Sequence, residues 1–271
     1  MHLAGTKNLE LLSIILSWNR SELLEKTIRS YLETVSVPHR LVVVDNASDP
    51  TTIECIKSLQ DQYKFKVKFL RKNVGGNAFN IVLDEEDVDL FKFVHFSEND
   101  VEYLPGWDLD LISKFASFPE LGQLSPFSPY PEKGKGEVWT PKRARKVCRE
   151  NKTVYMARTV GTTCVVRKEI IQNGLRWRTH RRGFLLPKDR HFSIQIKKLG
   201  WRVAWNDRYV ATNWGHNIKS FQENPDYYVQ NYNSKKVKIK GFQKRLRKEG
   251  YQLIEKDDGS YDIKPMDKKN E

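Results

Sequence analysis

A chain of 271 residues, 39% hydrophobic and 11% aromatic, is long enough to bury a large core and too apolar to stay disordered. Its three cysteines, Cys55, Cys148 and Cys164, are odd in number and lack a CxxC pair, which excludes a disulfide framework and a cysteine zinc site. The formal net charge of +13 points to an anionic partner.

The opening stretch MHLAGTKNLE lacks the charged-then-apolar build of a signal peptide, and the apolar run Leu11–Leu16 is too short to cross a bilayer. A reducing, cytoplasmic setting is expected. The positive charge is concentrated in three segments, 142–152, 176–190 and 235–248. Together they hold 20 basic and 2 acidic residues, against 27 basic and 32 acidic elsewhere. Such clusters attract polyanions at a distance. The last segment reads equally as a solvated surface or as a contact with an anionic membrane.

In chain order, Leu11–Ser17 reads as a strand, and Ser21 opens a helix with Leu23, Leu24, Ile28, Leu32 and Val35 on one face. Leu41–Val44 is a second strand, Thr51–Tyr63 a helix, Phe65–Leu70 a third strand and Ala78–Leu83 the start of a helix. Leu90–Phe96 is a fourth strand, with His95 expected in the core. Strands separated by helices of this length imply βαβ crossovers and a mostly parallel sheet. Beyond Trp107 the pattern predicts a helix over 109–118 and a long loop over 124–152, a candidate lid. It then predicts strand material over 154–166, helices over 168–172 and 189–199, and paired strands over 201–205 and 208–212. From Ile218 a helix and a loosely held basic tail are expected.

Ligands of such sheets bind outside the carboxyl ends of the strands. Those ends are Ser17-Trp18-Asn19-Arg20, Asp45-Asn46-Ala47-Ser48, Arg71-Lys72-Asn73 and Glu98-Asn99-Asp100, so polar and acidic groups converge on one edge. The order of features resembles family 2 glycosyltransferases with the GT-A fold, over roughly residues 11–216. The stretches that carry the resemblance are SIILSWNRSELLEKTIRSYL, VVVDNAS, LRKNVGGNAFN, FSENDVEYLPGW and PKDRHFSIQIKKLGWRVAW. The resemblance implies an α/β Rossmann-like domain over 1–216, with a nucleotide-sugar half (about 11–107) and an acceptor half (about 108–216). A basic extension, 217–271, follows.

It also implies a nucleotide-sugar donor, such as a UDP-sugar, and a divalent cation, Mn2+ or Mg2+, that stabilises the departing diphosphate. Asp100 is the first metal candidate, and His216 in NWGHN the second. Glu98, longer by a methylene than the family's usual Asp, reaches either the metal or the donor ribose, while Asn99 takes the freely variable middle position. Asp45 would bind base or ribose. Trp18 would stack on the base, with Asn19 and Arg20 beside it, unless Trp18 belongs to the core. Asn73 and Gly76 would allow close backbone approach to the donor.

Inverting transfer needs a general base, and the resemblance puts it on Asp189, which could also cap its helix. Lys188 and His191 replace acidic residues of the family's pattern. They suit an anionic acceptor, for which Trp177, Arg178, Arg181, Arg182 and Lys188 are candidates, with Trp139 and Phe184 interleaved in the charge. The acceptor is a surface glycan or lipid-linked saccharide, or alternatively DNA bearing a hydroxylated base that must be flipped out. A rival is an inactive, nucleic-acid-binding relative. A nucleotidyltransferase is disfavoured because Ser17–Arg20 lacks glycine.

Overall fold

The computed structural model describes residues 9–130, 132, 143–179, 187–215, 217–233 and 238–266. The first half follows the alternation of the sequence. It runs β1 (Leu11–Ser17), α1 (Ser21–Thr34), β2 (His39–Asp45), α2 (Pro50–Tyr63), β3 (Lys66–Phe69), α3 (Asn77–Glu85), β4 (Phe93–Glu98), β5 (Val101–Tyr103) and α4 (Trp107–Ser117). Local chemistry sets the boundaries. Asp49 caps α2 by accepting the Thr52 amide at 2.8 Å, with Pro50 at the first helical position. The apolar run expected to start a strand at Leu90 instead closes a 3-10 turn, Val88–Leu90, and the strand begins at Phe93.

The second half holds β6 (Leu121–Ser125), β7 (Arg145–Arg149), β8 (Lys152–Met156), β9 (Cys164–Arg167), α5 (Lys168–Gln172), α6 (Asp189–Lys198), β10 (Arg202–Asn206) and β11 (Ala211–Asn213). Nine strands form one mixed sheet in the order β3-β2-β1-β4-β9-β6-β10-β8-β7. All run the same way except β8 and β9. Two expectations are corrected. Residues 145–152 of the candidate lid belong to the β7–β8 hairpin, paired to the sheet through β10. The two strands expected to pair around 201–212 separate, with β10 entering the main sheet while β11 pairs with β5.

The C-terminal segment is no loose tail. Helices α7 (Ile218–Glu223), α8 (Pro225–Asn233) and α9 (Lys238–Lys248) and the hairpin β12 (Tyr251–Glu255) and β13 (Tyr261–Pro265) enclose a second core. That core contains Phe221, Tyr228, Val229, Phe242, Leu246 and Ile263. In α9, Phe242 and Leu246 stand one helical turn apart and face inward, so Lys240, Lys244, Arg247 and Lys248 lie on the outer side of an amphipathic helix. No helix among the described residues is long and apolar enough to cross a membrane.

As expected, His95 on β4 lies in the main core, fully buried against Trp107 at 4.8 Å between ring centres. Burial pushes its pKa from 6.5 down to about 3. Between those values the unfolded chain binds a proton that the folded chain refuses, so stability falls as the pH falls through the window. His95→Gln should flatten that acid limb by an amount on the order of a few kcal/mol. Urea unfolding of both proteins from pH 7 to pH 4 checks this; equal slopes would contradict it.

Candidate active site

The carboxyl ends of β1, β2 and β4 meet around one buried ion pair. The chain leaves β1 through Asn19 and Arg20, two consecutive residues in the left-handed region at φ 53° and 61°. This sharp reversal turns the Arg20 side chain back under the strand ends. There Nη1 donates to Asp100 Oδ2 at 3.0 Å and Nη2 to Asn99 Oδ1 at 2.5 Å. Both side chains of the ion pair are more than nine-tenths buried. Asp100 Oδ1 is also buried and has no hydrogen-bond partner among the described residues.

Asn99 is therefore not the freely variable residue expected between two carboxylates. Besides receiving Arg20, its Nδ2 donates to the Asn19 carbonyl at 2.8 Å, which locks the acidic turn to the end of β1. The Asn19 side chain is also occupied structurally, with Oδ1 accepting the Asp49 amide at 2.9 Å. Trp18 sits half-buried above, its ring 5.5 Å from that of Tyr227 on α8.

At the end of β2, Asp45 is buried. Its Oδ2 accepts the Ser48 amide at 3.1 Å, and Oδ1 is a second buried carboxylate oxygen without a partner among the described residues. The neighbouring Asn46, part of the same polar strand end, holds the next loop. Its Nδ2 donates to Asn73 Oδ1 at 2.9 Å, and its Oδ1 accepts the Val74 amide at 2.8 Å. Asn73 thus braces its own turn, also accepting the Gly75 amide at 2.8 Å.

Gly76 is needed for close chain packing. A Cβ there would stand 2.8 Å from Pro187 Cα. This close contact, with the Thr179–Pro187 bridge and the 2.7 Å bond from the Lys188 amide to the Arg178 carbonyl, carries the chain to the start of α6.

Asp189 is the first residue of α6, and Lys188 takes the capping position without a side-chain cap bond. The carboxylates of Asp189 and Glu98 both act on the buried Cys164 thiol. Burial first, and then these two charges, push its pKa up to about 12. Both carboxylates thus lie near enough to the Cys164 thiol on β9 for their charges to reach it. Arg178 and Lys188 gather at the same helix end, where burial first, and then their charges, lower the His191 pKa.

Trp177, expected to face an acceptor, is instead in the core. It is 2% exposed and stacked on Phe192 at 3.9 Å. Its backbone is gripped by Asn80, whose Oδ1 accepts the Trp177 amide and whose Nδ2 donates to the carbonyl. The 142–152 segment is also not where charge alone suggested. Arg145 and Arg149 line a groove of about 790 Å³ with Lys197 and Arg202. Arg202 begins β10, so this groove opens at the sheet edge opposite to Asp45 and Glu98. His216, Arg181, Arg182, Trp139 and Phe184 lie outside the described residues.

Two further contributions had no signal in the sequence. The Trp214 amide donates to the Asp100 carbonyl at 2.8 Å, and Gly215 lies against the carboxylate, where a Cβ would fall 1.8 Å from Oδ2. From α8, Tyr227 covers the Arg20 guanidinium at 4.3 Å and Tyr228 donates to the Gly215 carbonyl. Among the described residues, no three His, Cys, Asp or Glu side chains form a ready metal cage. What the site offers a cation is the buried Asp100 oxygen that has no partner among the described residues. That suits an ion completed by a ligand's own phosphate oxygens.

The fold is GT-A-like, a mixed and mostly parallel sheet flanked by helices, with its polar strand ends gathered on one edge. The profile of Glycosyl transferase family 2 matches residues 13–195, more than half of the sequence, and the chain belongs to that family. Among solved structures, S. aureus TarS 1–349 in complex with UDP-GlcNAc is 19% identical, over 75% of this chain and 58% of that one, with a TM-score of 0.54. The mannosyltransferase PcManGT from Pyrobaculum calidifontis, in complex with GDP-Man and Mn2+, is 13% identical over 89% and 64%, with a TM-score of 0.59. The chain thus spans less than two thirds of the length of either protein, and at this identity the likeness is one of fold. A search of curated proteins by sequence finds no match.

Gly215→Ala tests the packing at Asp100. The added methyl must displace the carboxylate and loosen the Arg20 pair, at a cost of about 2–3 kcal/mol. Thermal unfolding should show a clear drop in midpoint, whereas Gly174→Ala, where a Cβ meets nothing within 4 Å, should show only the smaller strain of its positive φ. Equal losses in the two variants would contradict the assignment.

Proposed function

We propose that this protein transfers a sugar, with inversion, from a nucleoside-diphosphate sugar at the carboxyl edge to a hydroxyl of an anionic saccharide acceptor. The observation that carries the reading is the pair of buried strand-end carboxylates, Asp45 and Asp100, each with one oxygen that has no partner among the described residues, while Asp189 and Glu98 both act on the Cys164 thiol.

In this reading Asp45 binds the base or ribose, Trp18 flanks the base, and Glu98 faces the ribose or the cation. Asp100 holds a divalent cation, with His216 as a second ligand. When bound, Mn2+ or Mg2+ supplies positive charge to the departing diphosphate. Asp189 takes the proton of the acceptor hydroxyl. The acceptor oxygen then attacks the anomeric carbon from the face opposite the diphosphate. A new glycosidic bond forms, the bond to the diphosphate oxygen breaks, and the nucleoside diphosphate leaves with that electron pair.

Arg178 and Lys188 at the start of α6, with Arg181 and Arg182 nearby in sequence, favour an acceptor that carries negative charge. With Trp177 in the core, the described residues around Asp189 offer charge rather than a stacking platform. That favours a phosphate-bearing or acidic saccharide over a flipped nucleobase. Asn99 has a structural task here, so its presence is no sign of a dismantled site.

A panel of nucleotide-sugars assayed with Mn2+ and Mg2+ tests the reading. Asp189→Asn should lower turnover by about 10²–10⁴-fold with donor affinity little changed, whereas Asp100→Asn should weaken donor binding itself. Failure of every donor to be bound or hydrolysed would overturn the proposal.

A further inference from the structure

Beneath the acidic turn, a file of buried polar side chains crosses the main core. Tyr31, Ser13, His95, Tyr103 and Ser97 are each at most 2% exposed. The Tyr31 hydroxyl donates to Ser13 Oγ at 2.6 Å, the Tyr103 hydroxyl to Ser97 Oγ at 2.6 Å, and Ser97 Oγ to the Glu98 carbonyl at 2.8 Å. His95 joins the two halves, with Nδ1 3.1 Å from Ser13 Oγ and Nε2 3.0 Å from the Tyr103 oxygen.

A hydroxyl has one proton to give. Tyr103 spends its proton on Ser97, so its oxygen must accept from His95 Nε2–H. Nδ1 is then bare and accepts the Ser13 proton, which leaves Ser13 Oγ free to receive Tyr31. Only one proton arrangement satisfies every member, and it requires a neutral ring with its hydrogen on Nε2. The file ends on the backbone of Glu98, the first residue of the acidic turn. The other side of the turn is pinned by α1, where Thr27 Oγ1 accepts the Val101 amide at 3.0 Å and Ser30 Oγ accepts the Tyr103 amide at 3.0 Å.

We propose that Ser13, His95, Tyr103 and Ser97 act as positioning residues, a one-way hydrogen-bond relay that fixes the Glu98 carbonyl and so aims the Glu98 and Asp100 side chains at the donor. The proposal rests on the donor site described above. A relay with every polar group satisfied holds one geometry, while a broken one leaves buried groups free to reorient the turn.

The test compares three variants by Tm and by calorimetric affinity for UDP in the presence of Mn2+. Ser97→Ala cuts the last link, and Tyr103→Phe removes the two bonds before it. Tyr31→Phe removes an equally buried hydroxyl upstream of Ser13 and leaves the relay whole. All three should lower the Tm, but only the first two should weaken UDP binding, by about tenfold. Equal UDP affinity in all three would reduce the file to core packing. In parallel, long-range 1H–15N spectra of the histidines should show His95 protonated at Nε2 and bare at Nδ1; the opposite tautomer would overturn the relay. If the wild-type chain binds no UDP, the donor reading fails, and the tautomer measurement still decides the relay.

Discussion

The arrangement of the strand ends depends on one buried charge pair, Arg20 with Asp100. A carboxylate more than nine-tenths buried is costly without a counter-charge. Arg20 provides it from a different strand end, and this explains features of the chain that otherwise have no common cause. The backbone accepts two successive left-handed residues to aim the guanidinium inward. Asn99 takes the second fork of the guanidinium, Gly215 leaves room for the carboxylate, and Tyr227 and Tyr228 seal the pair from the side of α8. The C-terminal module is thereby a wall of the site, joined to it at Arg20, Trp18 and Gly215.

The same pair shapes the chemistry. Arg20 occupies one oxygen of Asp100 and leaves the other, buried oxygen without a partner among the described residues, so a single carboxylate oxygen stands in place of a full coordination cage. An ion held there is completed by the ligand it serves, which links cation and donor binding. Cys164 is a buried thiol that burial and the charges of Asp189 and Glu98 hold neutral, so it adds no charge of its own.

The βαβ half was legible because its apolar runs and helix faces have clean periods, and its polar strand ends fall where such sheets bind ligands. What escaped has physical reasons. β5 and β11 are three residues each, too short for a period, and they find one another across more than a hundred residues. β7 carries mostly charged, exposed side chains, so it read as loop. Trp177 looked like an acceptor platform because basic residues surround it in sequence, but Phe79, Phe96 and Phe192 enclose it in space. Charge along the chain also failed to locate charge in space, since Arg145 and Arg149 open onto the far edge of the sheet. Asp45, Glu98, Asp100 and Asp189 are candidates from motif order. Asn46 and Asn99 stand in the same stretches without a role that spacing reveals, and Gly215 and the α8 tyrosines lie outside the stretches that carry the resemblance.

The most direct test of the Arg20–Asp100 centre is a crystal grown with UDP and Mn2+, with data recorded at the manganese absorption edge. The account predicts an anomalous peak bonded to the Asp100 oxygen that Arg20 leaves open, with the UDP diphosphate between the ends of β2 and β4. Manganese or nucleotide seated elsewhere, with Asp100 bonded to Arg20 alone, would contradict it.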